Sequence, residues 1–215
     1  MNEMIFFIQM STIIAFAFGA RKLGRGALTA WVAIQALIAN LFVVKQITLL
    51  GFEVTASDAF VIGSLVGLNF LQEYFGQEEA KKATWVCFFF MFFFAVVSQI
   101  HLLYQPSLYD TTQAAFVQIL SLSPRLFLAS MSVFFIVQQI DVRFFAFLKS
   151  RFPGWGFAAR AAIALVVSQF LDTFLFSFAG LYGMVASILD IIVVSFAVKL
   201  VVIFLMTPLL RWAKE

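Results

Sequence analysis

Long apolar runs separated by short polar links dominate this chain, and their length restricts the fold more than any other feature. Each run is about 17–25 residues long, enough to cross a bilayer as a helix, whereas a transmembrane β-strand alternates over about ten residues. The runs are roughly Met4–Ala20, Ala27–Leu50, Asp58–Phe75, Ala83–Tyr104, Leu126–Leu148, Phe157–Phe178 and Met184–Met206.

Composition excludes a soluble globular domain. Hydrophobic residues make up 63% of the chain and charged residues 12%, whereas a soluble domain carries about 25% charged residues. We therefore expect an all-α integral membrane protein, a bundle of about seven transmembrane helices forming one domain over residues 1–215. The link Gln105–Pro124 contains AAFVQILSL, which is too short to span and is predicted to lie along the interface or to re-enter.

Basic residues predict the orientation. With seven spans and an external N-terminus, the inner links and ends hold eleven of the fourteen basic residues, the bias that retains a segment in the cytoplasm. We predict an N-out/C-in topology. The eleven are Arg21, Lys22, Arg25, Lys81, Lys82, Arg143, Lys149, Arg151, Arg160, Arg211 and Lys214. This asymmetry accounts for the basic composition, so no nucleic-acid partner is predicted.

Cysteine and histidine are too scarce for several kinds of site. Cys87 and His101 are each the single residue of their type, which excludes a disulfide framework, a multi-histidine metal centre and an ordinary Ser-His-Asp hydrolase. No phosphate-binding P-loop motif is present, so this chain does not hydrolyse ATP. We expect no cofactor, no metal and no enzymatic activity.

Polar residues at membrane depth are the candidates for function. A charge at the bilayer centre costs about 2.5–3.5 kcal/mol on insertion scales, and such residues usually face a bundle interior or a wet cavity. The candidates are Asn40, Lys45, Asn69, Glu73, Arg125, Asp141, Asp172, Asp190 and Lys199.

Helical spacing groups these candidates into stripes that predict an interior lined with hydrogen-bonding groups. The stripes are Asp58, Asn69 and Glu73 on the third run, Gln169, Asp172, Thr173 and Phe176 on the sixth, and the pairs Gln138–Asp141 and Ser195–Lys199. A structural alternative is open for each: a carboxylate such as Asp172 paired with Lys45 or Lys199 would simply hold helices together.

Five segments occur in the order and spacing of the queuosine precursor transporters, the VUT family, which the chain resembles from about Gln35 to Pro208. They are ANLFVVKQITLLGF, LNFLQEYFGQEEAKK, PRLFLASMSVFFIVQQIDV, SQFLDTFLF and SFAVKLVVIFLMTP. The resemblance implies import of a 7-deazaguanine base, namely the cyano or aminomethyl precursor or queuine, across the bacterial inner membrane. Its residue pattern falls on Asn40, Lys45, Glu73, Gly76, Arg125, Gln138, Asp141, Asp172, Thr173 and Lys199.

The sequence departs from that family at two points. The family commonly has an aspartate four residues before the glutamate, where this chain has Asn69, so substrate preference or ion coupling could differ. The family is often drawn with six spans, and Met4–Ala20 would be an additional one.

Combining stripes and resemblance gives a predicted site in two parts. A deazaguanine offers N1–H and a 2-amino group as adjacent donors, which a carboxylate accepts, and an O6 acceptor that an amide or a cation serves. We predict substrate contacts from Asn40, Asn69, Glu73, Gln138, Gln169, Asp172 and Thr173, and a charge or coupling network of Lys45, Arg125, Asp141 and Lys199.

Two alternatives remain open at this stage. The chain could be a substrate-binding component that needs an energy-coupling ATPase partner, or an intramembrane scaffold subunit. Proton or sodium coupling and a homo-oligomer are also open.

Overall fold

The computed structural model describes residues 1–43, 45–49, 51–121, 124–183 and 188–210, and for residues 52–54, 124–126, 190, 205–206 and 209 it describes the backbone alone. The predictions for the side chains of Arg125 and Asp190 fall outside this described part, as do those for Arg211 and Lys214.

The described chain is a helical bundle with one small β-hairpin. Its long helices follow the seven apolar runs, and the all-α membrane architecture expected from composition is confirmed. The elements are α1 (Asn2–Leu23), α2 (Arg25–Phe42), β1 (Gln46–Leu49), β2 (Phe52–Thr55), α3 (Asp58–Phe75), α4 (Gln77–Leu102), α5 (Gln113–Leu120), α6 (Pro124–Arg151), α7 (Phe157–Phe176), which continues as a π-helical turn over Ser177–Leu181, and α8 (Ile188–Leu210).

Five helices in the described residues are long and apolar enough to cross a membrane: α1, α2, α4, α6 from Phe127, and α7 with its π turn. In α8 the corresponding apolar stretch is shorter, Ile191–Phe204, and α3 includes Asp58, Asn69 and Glu73 among its 18 residues. The chain is therefore a multi-pass membrane protein, while the number of spans stays a prediction.

The second predicted run is wrong at its C-terminal end. Helix α2 ends at Phe42, and the residues that follow form an antiparallel hairpin in which Leu49 pairs with Phe52. Between the strands, Gly51 has φ 84°, a conformation in which other residues are strained. Lys45 consequently lies outside the helix and is exposed.

Helices α2 and α3 pack very closely. A Cβ atom placed on Gly67 would lie 2.8 Å from Trp31 Cδ1, so only glycine fits at this crossing. Two hydrogen bonds join the same helices: Trp31 Nε1 donates to the Gly63 carbonyl at 3.2 Å, and Ser64 Oγ donates to the Val32 carbonyl at 3.1 Å. Small residues with interhelical hydrogen bonds are the usual means of packing helices in lipid.

The bundle exposes apolar side chains and buries polar ones. On α4, Phe89 and Phe93 are 63% and 56% exposed, as expected for a lipid-facing surface. Asn69, Asp141 and Gln169, on three different helices, are fully buried. The protein therefore exposes apolar side chains at its surface and contains a group of buried polar side chains in its interior.

The two ends of the bundle differ in charge. At one end Arg21 Nη1 donates to Tyr74 Oη at 2.7 Å, and Arg25 lies 3.8 Å from Glu79. At the other end Asn2 Nδ2 donates to the Thr48 carbonyl of the hairpin at 2.9 Å. We refer to these as the basic end and the hairpin end.

Candidate functional site

A cavity of about 550 Å³ lies toward the hairpin end, among α2, α3, α6, α7 and α8. Its volume is within the range of small-molecule sites. The polar side chains that line it are Asn40, Gln46, Thr55, Ser57, Asp58, Ser130, Asp172, Thr173, Ser177, Ser195 and Lys199.

An ion pair joins α7 to α8 in the wall of this cavity. Lys199 Nζ lies 2.7 Å from Asp172 Oδ2, and their side chains are 8% and 17% exposed. The predicted alternative partner, Lys45, is exposed beside the hairpin instead. Asp172 therefore pairs with Lys199 and also lines the cavity.

A second carboxylate belongs to the same charged group. Asp58, the first residue of α3, also lines the cavity, and it interacts electrostatically with both Lys199 and Asp172. The group therefore brings two carboxyl groups and one ammonium to the same cavity wall. A cavity of this kind favours a ligand that is cationic or rich in hydrogen-bond donors.

Aromatic and amide groups complete the cavity wall. Phe134 and Phe176 supply aromatic surface, and Thr173 and Asn40 supply polar groups. Asn40 Nδ2 donates to the Ala36 carbonyl at 2.9 Å, which leaves its side-chain oxygen as an acceptor. Asn40 also borders a smaller cavity of about 180 Å³ with a mostly apolar lining.

Further from the hairpin, a fully buried polar layer joins α3, α6 and α7. Ser168 Oγ donates to Asp141 Oδ1 at 2.7 Å. Gln138, one turn before Asp141, donates through Nε2 to Ser64 Oγ at 3.2 Å, and Gln72 Nε2 donates to the Val142 carbonyl at 2.8 Å. Asp141 and Gln138 belong to the predicted site. Gln72 immediately precedes Glu73 in the sequence, which is also in that site.

Several polar atoms of this layer have no hydrogen-bond partner among the described residues. They are Asn69 Oδ1 and Nδ2, Gln72 Oε1, Asp141 Oδ2, and Gln169 Oε1 and Nε2; Thr173 Oγ1, in the cavity wall, likewise has none. An unpaired buried polar group costs about 1–3 kcal/mol. Buried polar groups normally have a hydrogen-bond partner, so this concentration requires an explanation such as bound water or a ligand.

Glu73 belongs to a separate ionic cluster toward the basic end. Its two oxygens lie 2.7 Å from Arg160 Nη2 on α7 and 3.2 Å from Lys149 Nζ on α6. Lys149 also donates to the Glu73 carbonyl at 2.9 Å. The cluster ties three helices together, and Glu73 is not among the residues that line the cavity.

The predicted residues thus fall into three groups along the bundle. Asn40, Asp172, Thr173 and Lys199 line the cavity; Asn69, Gln138, Asp141 and Gln169 form the buried layer; Glu73 lies in the ionic cluster. Lys45 is apart from all three. Arg125 is described by its backbone alone, so its role stays a prediction.

Sequence reasoning misses two charged residues in these groups. Asp58 lies on a predicted polar stripe but outside the predicted site, although its position at the start of a span is visible in the sequence. Arg160 is predicted as a residue of an inner link, yet it is 6% exposed and pairs with Glu73. Glu73 lies near the C-terminal end of α3, and a carboxylate there is the sequence feature that indicates a nearby cation.

Comparisons with known proteins agree with the resemblance seen in the sequence. The family model described as "Putative vitamin uptake transporter" matches residues 56–213. A Bacillus subtilis (strain 168) protein named "Probable queuosine precursor transporter" is 30% identical over 219 residues, covering 98% of this chain and 93% of that protein. No solved structure matches the chain.

Proposed function

Since this chain belongs to the queuosine precursor transporter family, whose model is described as a vitamin uptake transporter, we propose that it imports a 7-deazaguanine base across the bacterial inner membrane. The observation that supports this most directly is the position of Asp172, a carboxylate at membrane depth that lines a cavity large enough for the base. The base would be the cyano or aminomethyl precursor, or queuine.

The groups around the cavity match the edge of such a base. Asp172 accepts from the ring N1–H and the 2-amino group, which are adjacent donors on one edge. The Asn40 amide or the Lys199 ammonium serves the O6 acceptor. Phe134 and Phe176 provide flat apolar surface for the ring. Thr173, one residue after Asp172, orients the bound edge through its hydroxyl.

The three groups of residues also fit an alternating-access cycle. In the proposed N-out/C-in orientation, the cavity lies toward the outer side and the Glu73 cluster toward the cytoplasm. Ion pairs between Glu73, Arg160 and Lys149 would hold the inner ends of α3, α6 and α7 together while the base enters from outside. Release inside then requires these pairs to separate.

Uptake of labelled bases tests this proposal. Cells that lack queuosine synthesis should accumulate the cyano or aminomethyl base only when they carry the gene, and the Asp172→Asn variant should fail to do so. Equal uptake with and without the gene, at confirmed expression of the protein, would overturn the assignment.

Reconstitution of the purified protein distinguishes a self-sufficient transporter from a component that needs an energy-coupling partner. A self-sufficient transporter exchanges labelled for unlabelled base across vesicles that contain this chain alone. Binding without exchange would instead indicate a required ATPase module, since ATP hydrolysis is excluded for this chain.

A further inference from the structure

We propose that Asp141 is a proton-binding site, and that one proton bound at its free oxygen accompanies each imported base. This inference rests on the proposed transport function and concerns how that transport is driven. It follows from the surroundings of Asp141 on the three helices that contact α6 in this layer.

Asp141 is a fully buried carboxyl group within a membrane-spanning helix. Its Oδ1 accepts from Ser168 Oγ at 2.7 Å, and its Oδ2 has no partner among the described residues. A carboxylate in this position is costly, and a proton at Oδ2 removes the charge without requiring any other ligand. A sodium ion would require several oxygens around it, whereas the side-chain hydrogen bond of Asp141 among the described residues comes from Ser168 Oγ.

The other charged groups near this layer are paired with one another. From α3, Glu73 pairs with Arg160 and Lys149; from α7, Asp172 pairs with Lys199. Their cations are therefore already engaged.

The remaining neighbours of Asp141 supply no counter-charge either. From α4, Cys87 presents a thiol that is 3.7 Å from Gln138 Nε2, and the π turn Ser177–Leu181 contains no ionisable side chain. On α6 itself, Arg143 is exposed. A proton is then the positive charge that Asp141 can acquire.

Helix α7 connects this carboxyl group to the cavity. Ser168 binds Asp141, and Asp172 and Thr173 in the cavity wall lie one turn further along the same helix. Gln169, between them, has both side-chain polar atoms unpaired among the described residues. A shift of α7 on binding the base therefore changes the hydrogen bond to Asp141. Coupling of this kind is reciprocal, so a proton at Asp141 must change affinity for the base.

The test uses purified full-length protein in vesicles, with the voltage held at zero. Two activities are measured for the aminomethyl and cyano bases: exchange at equal pH, and accumulation driven by a gradient of one pH unit. With one proton per base, the gradient should give about tenfold accumulation. Asp141→Asn should keep exchange within about threefold of wild type and lose accumulation. Asp141→Glu should retain both, with a displaced pH profile.

The outcomes separate the two proposals. If wild-type protein exchanges neither base, the transport assignment itself fails. If exchange is present but Asp141→Asn still accumulates base on a pH gradient, or only a sodium gradient drives wild-type accumulation, the proton site is wrong. If Asp141→Asn does not insert into the membrane, the pH profile of transport by Asp141→Glu is the test. A profile identical to that of wild type would overturn the proposal.

Discussion

Lys199 Nζ and Asp172 Oδ2 lie 2.7 Å apart in the wall of the main cavity. The pair connects α7 to α8 and also faces the space proposed for the base. A carboxylate with one oxygen on an ammonium can still accept hydrogen bonds, because two oxygens offer about four acceptor positions. Structural pairing and ligand contact are therefore compatible at Asp172.

Asp172→Asn should weaken binding of the base and destabilise the protein together. Loss of a hydrogen bond to a charged group costs about 1.5–3 kcal/mol, which is about tenfold to over a hundredfold in affinity. Lys199 loses its 2.7 Å partner inside the bundle and keeps the electrostatic interaction with Asp58, so the melting temperature should also fall. Isothermal titration and thermal melting on the same sample measure both effects.

The double variant Asp172→Asn/Lys199→Gln separates the two contributions. Removing both charges should recover part of the lost stability, since the ammonium that has lost its Asp172 partner is no longer present, while affinity stays low. If affinity returned along with stability, Asp172 would be a scaffold residue and not a ligand contact.

Asp58→Asn should reduce discrimination between charged and neutral bases. The aminomethyl base carries an ammonium group, for which the second carboxyl group of the Asp58–Asp172–Lys199 group offers a further acceptor. We expect about tenfold or greater loss of affinity for the aminomethyl base and little change for the cyano base. Competition binding with both bases measures the ratio. An equal loss of affinity for both bases would show that Asp58 maintains the shape of the cavity and does not contact the ammonium group.

An element of this structure is predictable from the sequence when the interactions that form it lie within the element itself. The long helices follow from apolar runs, because each helix satisfies its own backbone hydrogen bonds in lipid. The hairpin escapes prediction because Ile47 and Leu49 extend the apolar run of α2. The sequence feature that indicates a turn is Gly51, which lies between two segments that contain β-branched residues.

The site is harder to predict because it depends on distances between helices. Asp58 and Glu73 share a stripe on α3, yet 15 residues of helix separate them by about 22 Å, and they belong to opposite ends of the bundle. Sequence periodicity gives the face of a helix but not the neighbour it meets. For the same reason Lys45 and Lys199 are equal candidates to pair with Asp172 until the ends of α2 and α8 are known.

Gly67→Ala should destabilise the bundle by about 1–3 kcal/mol, the usual cost of overpacking. The added Cβ would lie 2.8 Å from Trp31 Cδ1 and 3.0 Å from Val32 Cγ2. Gly19→Ala is the matched control, because it lies within α1 and its Cβ would have no atom within 4 Å. We expect the control to melt at or above the wild-type temperature. Equal melting of both variants would contradict the close crossing of α2 and α3.

Reporter fusions should place the two ends of the bundle on opposite sides of the membrane. Fusions after Gly51 and Leu181, at the hairpin end, should be active in the periplasm, and fusions after Gln77 and Gly154 in the cytoplasm. The basic residues in the helix turns that flank the α1–α2, α3–α4 and α6–α7 connections provide the bias. Cytoplasmic activity after Gly51 would contradict the N-out orientation and the seven-span topology with it.

Glu73→Gln should open the cavity toward the cytoplasm without preventing insertion. The substitution keeps volume and hydrogen bonding but removes the charge that holds Arg160 and Lys149, at 2.7 Å and 3.2 Å. A Ser195→Cys substitution in the cavity wall reports access to a membrane-impermeant maleimide added to inverted vesicles. Labelling should rise severalfold over the parent that carries Ser195→Cys alone, in which the buried Cys87 contributes little background.

Glu78→Gln is the matched control for this gate. Glu78 is a carboxylate at the same end that pairs with Lys81 at 2.8 Å, but its side chain is 77% exposed. Exposed pairs of this kind contribute little, so Glu78→Gln should leave labelling and transport unchanged. If Glu73→Gln lowered expression as much as uptake, or left maleimide labelling at position 195 unaltered, the cluster would be a structural tie and the gate would lie elsewhere along α7.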